Sequence, residues 1–258
     1  MKDVGLNLYS VRNLIKTEEA FLDTANKLRE MGYAYMQFSG AEYDAARIKR
    51  VSEASGLPIR LTHVPMDRVI RDTDALMAEH ESFGCRNIGI GMMPFEFLTD
   101  GEAFKRKVEE LNKAALYMEK NGFSFFYHHH QFEFLKRDGE TLFDYILKNA
   151  PAVNFTVDTY WLQYAGVDVL ATIERLNGRI ACTHLKDYQI TVADKDGKPE
   201  FKPTFAPVGN GLMDFPAIVA KMRESGAKYF FVEQDNAAKL PDTLGEVSQR
   251  VRYIQSQL

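Results

Sequence analysis

The chain has 258 residues, 45% of them hydrophobic, with 32 Lys+Arg against 36 Asp+Glu and a formal net charge of −4. Both signs are interspersed, which leaves no basic footprint for a phosphate backbone, and no apolar run approaches the ~20 residues of a membrane span. Nucleic acid and membrane are excluded as partners at this level, and the length is close to the roughly 250 residues of an α/β barrel.

The first residues, MKDVGLNLYSVR, contain no basic segment followed by an apolar core, so no leader is expected and the cytoplasm is the expected location. Cys85 and Cys182 sit in apolar stretches without CxxC spacing and are expected to be buried free thiols.

Along the chain, short β-rich runs alternate with amphipathic helical stretches. The strands are expected at Val4–Tyr9, Ala34–Phe38, Pro58–His63, Asn87–Gly91, Phe123–His128, Val153–Asp158, Arg179–His184 and Lys228–Glu233. His80 falls on the polar side of a predicted helix and is expected to be solvated. The clearest helix, Gly101–Asn121, repeats Phe104, Val108, Leu111, Ala115 and Met118 every three or four positions with Lys and Glu between them. Glycines at 32, 56, 122 and 226 punctuate the helix ends.

Eight βα units predict a fold of class α/β, a single (β/α)8 TIM barrel forming one domain over residues 1–258. One connection is long. Between Tyr188 and Met213, an Asp196-Gly197 turn flanked by β-friendly runs predicts a hairpin-like excursion at about 188–213 over the barrel mouth. Gly209-Asn210-Gly211 reads as a tight turn leading into an Asp214 helix cap rather than as a phosphate cradle.

In such barrels the carboxyl ends of the strands carry the site. Those ends hold Tyr9 with Arg12, Gln37, His63, His128 with His130, Asp158, His184 with Lys186, and Glu233 with Asp235. Strand alternation turns His128, Asp158, His184 and Glu233 inward from four consecutive strands. Two imidazoles and two carboxylates make a mixed nitrogen and oxygen site that suits one divalent ion, with Mn, Co, Zn or Fe fitting better than Mg. The alternative at this point is a metal-free hydrogen-bond network around a substrate.

The strings GLNLYSVR, LTHVP, YHHHQFEF, VDTYWLQYAG, HLKD, VGNGLMDF and VEQD occur in that order over nearly the whole length. Together they resemble the xylose isomerase-like TIM barrels of the sugar phosphate isomerase/epimerase family. The resemblance implies an enzyme of carbohydrate metabolism with a small-molecule sugar substrate. It also implies a metal held by a Glu on the fifth strand, an Asp on the sixth, a His on the seventh and a Glu on the eighth.

Carried over, the last three ligands are Asp158, His184 and Glu233. The fifth-strand Glu is replaced: His128 stands at its position, in a His128-His129-His130 string, with Glu133 as the alternative ligand. With Glu233 alone retained, symmetrical two-base epimerisation lacks one base, whereas keto-sugar isomerisation, dehydration or β-elimination needs one base and one acid. The expected catalytic set is Glu233 as base with His130 and Lys186 donating protons or polarising the carbonyl. Arg12, His63, Trp161 and Tyr9 are expected to contact substrate. The plainer readings are a Lys186–Asp187 salt bridge, loop ties through Arg12 and His63, and core packing for Trp161.

The leading functional expectation is a metal-dependent isomerase or epimerase acting on a keto-sugar or related polyol through an enediolate. A lyase or dehydratase on a 3-keto-glycoside or inosose is the second, and a non-catalytic sugar-binding barrel the third. An abasic-site nuclease shares the barrel but uses three metals, and Trp161 occupies the position expected of one of its histidines. Association into an oligomer is left open.

Overall fold

The computed structural model describes residues 3–257, so the ends of the expected 1–258 span, residues 1, 2 and 258, lie outside the described residues. Eight parallel strands close a barrel: β1 (Gly5–Asn7), β2 (Tyr35–Phe38), β3 (Ile59–His63), β4 (Asn87–Ile90), β5 (Ser124–His128), β6 (Asn154–Asp158), β7 (Cys182–Leu185) and β8 (Tyr229–Val232). Each pairs with its neighbours in sequence, and β8 closes on β1 through Gly5↔Phe231 and Leu6↔Val232.

The helices form where apolar spacing and caps agree. Gly101–Lys120 starts at Asp100, whose carboxylate accepts from the amides of Glu102 and Ala103, and it buries Phe104, Val108, Leu111, Ala115 and Met118 against the sheet. Full burial of each larger side chain contributes about 1.5–3 kcal/mol. No helix of the described residues is long and apolar enough to cross a membrane.

Two strand boundaries differ from the sequence reading by more than one residue. The first strand stops at Asn7, because its side chain accepts from the Tyr9 amide and starts the 3-10 helix Leu8–Leu14. The seventh begins only at Cys182. Arg179 instead donates to the carbonyls of Leu147, Ala150 and Val153, closing the carboxyl end of helix Leu142–Asn149.

Inside the barrel, Tyr35, Leu61, Phe126, Cys182 and Phe231 form an apolar plug beneath the strand ends. Gly5 makes room for it, since a Cβ there would lie 2.3 Å from the Tyr35 ring and 2.9 Å from that of Phe231. Both cysteines are free and buried.

After β7 the strands Asp187–Lys195 and Lys198–Ala206 pair antiparallel around Asp196 and Gly197, both with positive φ. At the base of this hairpin, Asp187 Oδ2 accepts from the amides of Gly209 (2.9 Å) and Gly211 (2.8 Å). The Gly-Asn-Gly string therefore wraps Asp187, and Asp214 caps the next helix through the Ala217 amide.

His80 is a correction: it is fully buried, not solvated. Its helix, Thr73–Ser82, turns the ring onto the back of β3, where Nδ1 donates to Leu76 O (2.7 Å) and Nε2 accepts from Thr62 Oγ1 (2.7 Å). Burial pushes the imidazole down to about 4. The unfolded chain binds that proton near the ordinary histidine value of about 6.5, so the stability present above that value is lost as the pH falls towards 4. The expected loss over this window is about 3 kcal/mol, read by urea unfolding at pH 7 and pH 4. His80→Gln should lack that share of the loss; the same acid sensitivity in both proteins would assign it to another group.

Candidate active site

Above the apolar plug, the inward positions at the strand ends change character. They are Asn7, Gln37, His63, Gly91 just past β4, His128, Asp158, His184 and, just past β8, Glu233. Parallel register sets Asp158 level with His184. His128, Asp158, His184 and Glu233 are all buried, and one ligand atom from each lies within 4.8 Å of the others.

The hydrogen bonds on the far side of each ring decide what the near side can do. His128 Nδ1 donates to Gly91 O at 2.8 Å, leaving the Nε2 lone pair 3.3 Å from Asp158 Oδ2. His184 Nε2 donates to Gln37 Oε1 at 2.8 Å, while its Nδ1 lies 2.8 Å from Glu233 Oε2 and 3.5 Å from Asp158 Oδ2. His184 Nδ1 and Glu233 Oε2 are nonetheless out of line for a hydrogen bond. A neutral imidazole lone pair facing a carboxylate oxygen is tolerable only with a proton or a metal ion between them. Ligand bonds of about 2.0–2.2 Å span such a cluster, so the four residues fit one divalent ion.

The chain itself supplies one cation beside this cluster. Lys186, 1% exposed, places Nζ 2.9 Å from Asp158 Oδ2, 3.2 Å from Glu233 Oε2 and 2.9 Å from Asp235 Oδ1. The rings of Trp161 and Phe205 lie 5.4 and 5.7 Å from it. Burial works to strip Lys186 of its proton, but Asp158, Asp235 and Glu233 outweigh it and hold the ammonium well above its ordinary range. Burial would likewise raise Asp158 and Glu233, yet Lys186 and the histidines hold both carboxyls below the usual range. Asp235 rises to about 6, through burial and its neighbour Glu233.

The histidines divide. Burial lowers His184, but Glu233 and Asp158 more than reverse this and raise it. Burial and the neighbouring imidazoles depress His63 and bring His130 to about 2, and burial lowers His128, so these three are neutral near pH 7. They face a cavity of about 350 Å³ whose wall also includes Tyr9, Ser39, Met92, Lys186, Glu233 and Asp235.

Residues 25–255 match the family model described as xylose isomerase-like TIM barrel. The chain belongs to that family. An inosose dehydratase of Clostridium beijerinckii is 27% identical over 150 residues, covering 54% of this chain and 50% of that one, so the chain spans about half the length of the curated relative it matches. A sugar phosphate isomerase/epimerase from Parabacteroides distasonis superposes with a TM-score of 0.80 at 22% identity, covering 99% of this chain and 94% of that one. A xylose isomerase-like TIM barrel protein from Mycobacterium smegmatis, solved in complex with magnesium, superposes with a TM-score of 0.73 at 15% identity over 98% and 95%. At these identities the two structures speak for the fold alone.

In this xylose isomerase-like barrel, Glu133 does not reach the cluster. Its carboxylate accepts from the Tyr127 hydroxyl (2.7 Å) and the His130 amide (2.8 Å), outside the barrel, and burial raises it to about 7. The three consecutive histidines take three places. His128 joins the cluster, His130 lines the cavity, and His129 turns outward, where Nε2 accepts from the Asp158 amide at 3.1 Å.

Lys186 pairs with the inward carboxylates and not with Asp187, which is held by backbone amides. Tyr9 and His63 line the cavity, whereas Arg12 and Trp161 are off its wall. Arg12 stacks on the Tyr9 ring at 4.1 Å and donates to Tyr9 O, and Trp161 packs on His130 at 5.2 Å.

Sequence reasoning missed Asn7 and Ser39, which hydrogen-bond each other at 2.6 Å beside His184. The two-residue strand period carries Gly5 inward to Asn7 and was the signal for it; placing the strand end at Tyr9 hid it.

Proposed function

We propose that this chain is a single-domain, divalent-metal-dependent enzyme of the isomerase or epimerase type. It acts on a keto-sugar or related polyol through an enediolate, with His128, Asp158, His184 and Glu233 holding the ion. The observation that carries this reading is that the inner nitrogens of His128 and His184 lie 3.3 and 2.8 Å from carboxylate oxygens of Asp158 and Glu233, while each outer nitrogen lies 2.8 Å from a carbonyl oxygen, of Gly91 and of Gln37. The mixed donor set favours Mn, Co, Zn or Fe over Mg. When bound, the ion supplies Lewis-acid stabilisation of negative charge on a substrate oxygen.

The chain's own groups do the rest. Ionised Glu233, on the cavity wall, takes the proton from the carbon beside the carbonyl. Lys186 and neutral His130 donate hydrogen bonds to the oxygens that gain charge, and Tyr9 and His63, which line the same cavity, orient the substrate. Lys186 is the one Lys or Arg on that wall among the described residues, and three carboxylates hold it, which supports a sugar without phosphate. Free buried thiols suit a reducing, cytoplasmic setting.

A dehydratase acting on an inosose is the second reading, favoured by the similarity to an inosose dehydratase and by the loss of the fifth-strand glutamate. Here Glu233 removes the proton, the Lys186 ammonium protonates the departing hydroxide, and neutral His130 donates a hydrogen bond to it.

Metal-loaded protein incubated in D2O with unphosphorylated ketohexoses and with inososes separates the readings by NMR. Deuterium at the carbon beside the carbonyl with the carbon skeleton and hydroxyls intact supports isomerisation, and loss of water supports the dehydratase. Glu233→Gln should slow either by about 10²–10⁴-fold. Tight sugar binding with neither reaction would overturn both in favour of a non-catalytic binding barrel.

A further inference from the structure

One amide stands between two imidazoles. Gln37 is fully buried, its Oε1 accepting from His184 Nε2 at 2.8 Å and its Nε2 lying 3.0 Å from His63 Nε2. A carboxamide offers an acceptor on one atom and donors on the other, so its two contacts are of opposite kind. With the oxygen taken by His184, the NH2 group donates to His63 Nε2, and the His63 proton must sit on Nδ1. That nitrogen has no hydrogen bond among the described residues, and Gly91 keeps it open to the cavity, since a Cβ there would lie 3.1 Å from it.

We infer that Gln37 is a positioning residue that fixes two tautomers at once: His184 with its Nδ1 lone pair turned to the metal cluster, and His63 with an Nδ1–H turned into the cavity as a donor to a substrate oxygen. The site thus couples a ligand's tautomer on β7 to a hydrogen-bond donor on β3 through one side chain on β2. The inference rests on the metal reading for His184 but not for His63.

The test is the ring-nitrogen spectrum of the 15N-labelled full chain, recorded with and without Zn²⁺, beside Zn²⁺ affinity by calorimetry. Wild type should show His63 as Nδ1–H and His184 as Nε2–H. In Gln37→Glu both side-chain oxygens accept, so His63 should move to Nε2–H while His184 keeps its proton on Nε2. In Gln37→Leu both restraints go, His63 should become a mixture of tautomers, and Zn²⁺ affinity should fall about 10–100-fold.

An Nε2–H tautomer of His63 in the wild type overturns the inference, as does a Gln37→Leu protein with unchanged tautomers and affinity. If Gln37→Glu does not fold, the wild type and Gln37→Leu still decide. A protein that binds no Zn²⁺ sinks the metal reading, whereas the Gln37–His63 relation is read without it.

Discussion

Lys186→Met is expected to lower the stability of the metal-free protein by about 3–5 kcal/mol, because it strips the counter-cation from three carboxylates in a buried site. Asp158 is fully buried and Glu233 nearly so, and the ammonium lies within 3.2 Å of both. Methionine is unbranched and only one heavy atom shorter, so it keeps most of the volume beside Trp161 and Phe205 and the loss reports mainly charge. Urea unfolding without metal measures it. Saturating Zn²⁺ should return part of the loss, since an ion that binds only the folded state stabilises it in proportion to ln(1 + [Zn²⁺]/Kd). Unchanged stability in the variant would mean that the carboxylates are neutralised by protons and that Lys186 is no counter-ion.

The second large effect is expected at Asp158. Wild-type protein should carry about one equivalent of divalent metal by elemental analysis, and Asp158→Ala and His184→Ala should each carry none. Turnover should fall on the order of 10³-fold in both. Asp158 has a further duty: its Oδ1 accepts from the Trp161 amide at the start of helix Thr159–Tyr164, a cap worth about 1 kcal/mol. Asp158→Asn keeps an acceptor for the cap and removes the charge, so metal loss in Asn and Ala alike, with stability loss mainly in Ala, separates ligation from folding. A wild type that takes up none of Mn, Co, Zn or Fe would sink the metal reading and leave Lys186 as the cluster's resident cation.

The barrel was legible because its signals are local. Period-2 runs, period-3.6 runs and helix-ending glycines recur in order, and eight such units in 258 residues close only one way. The inward residues of β5 to β7, and Glu233 just past β8, were legible for the same reason: alternation along a strand fixes which side chains share a face, whatever the strand packs against.

What the sequence could not carry is the pairing of polar groups across strands. His80 looked solvated on its own helix, yet the back of β3 supplies Thr62 as its partner and buries it. Glu133, five residues past the end of β5, finds Tyr127 and the His130 amide on the outer face. Lys186 and Asp187 are neighbours in sequence that face different partners, one the cluster and the other a backbone turn more than twenty residues on. By itself the sequence determined the barrel and which residues crowd its carboxyl end. Only the closed structure decided which donor meets which acceptor there, because a buried polar group takes its state from neighbours that the chain brings together from distant strands.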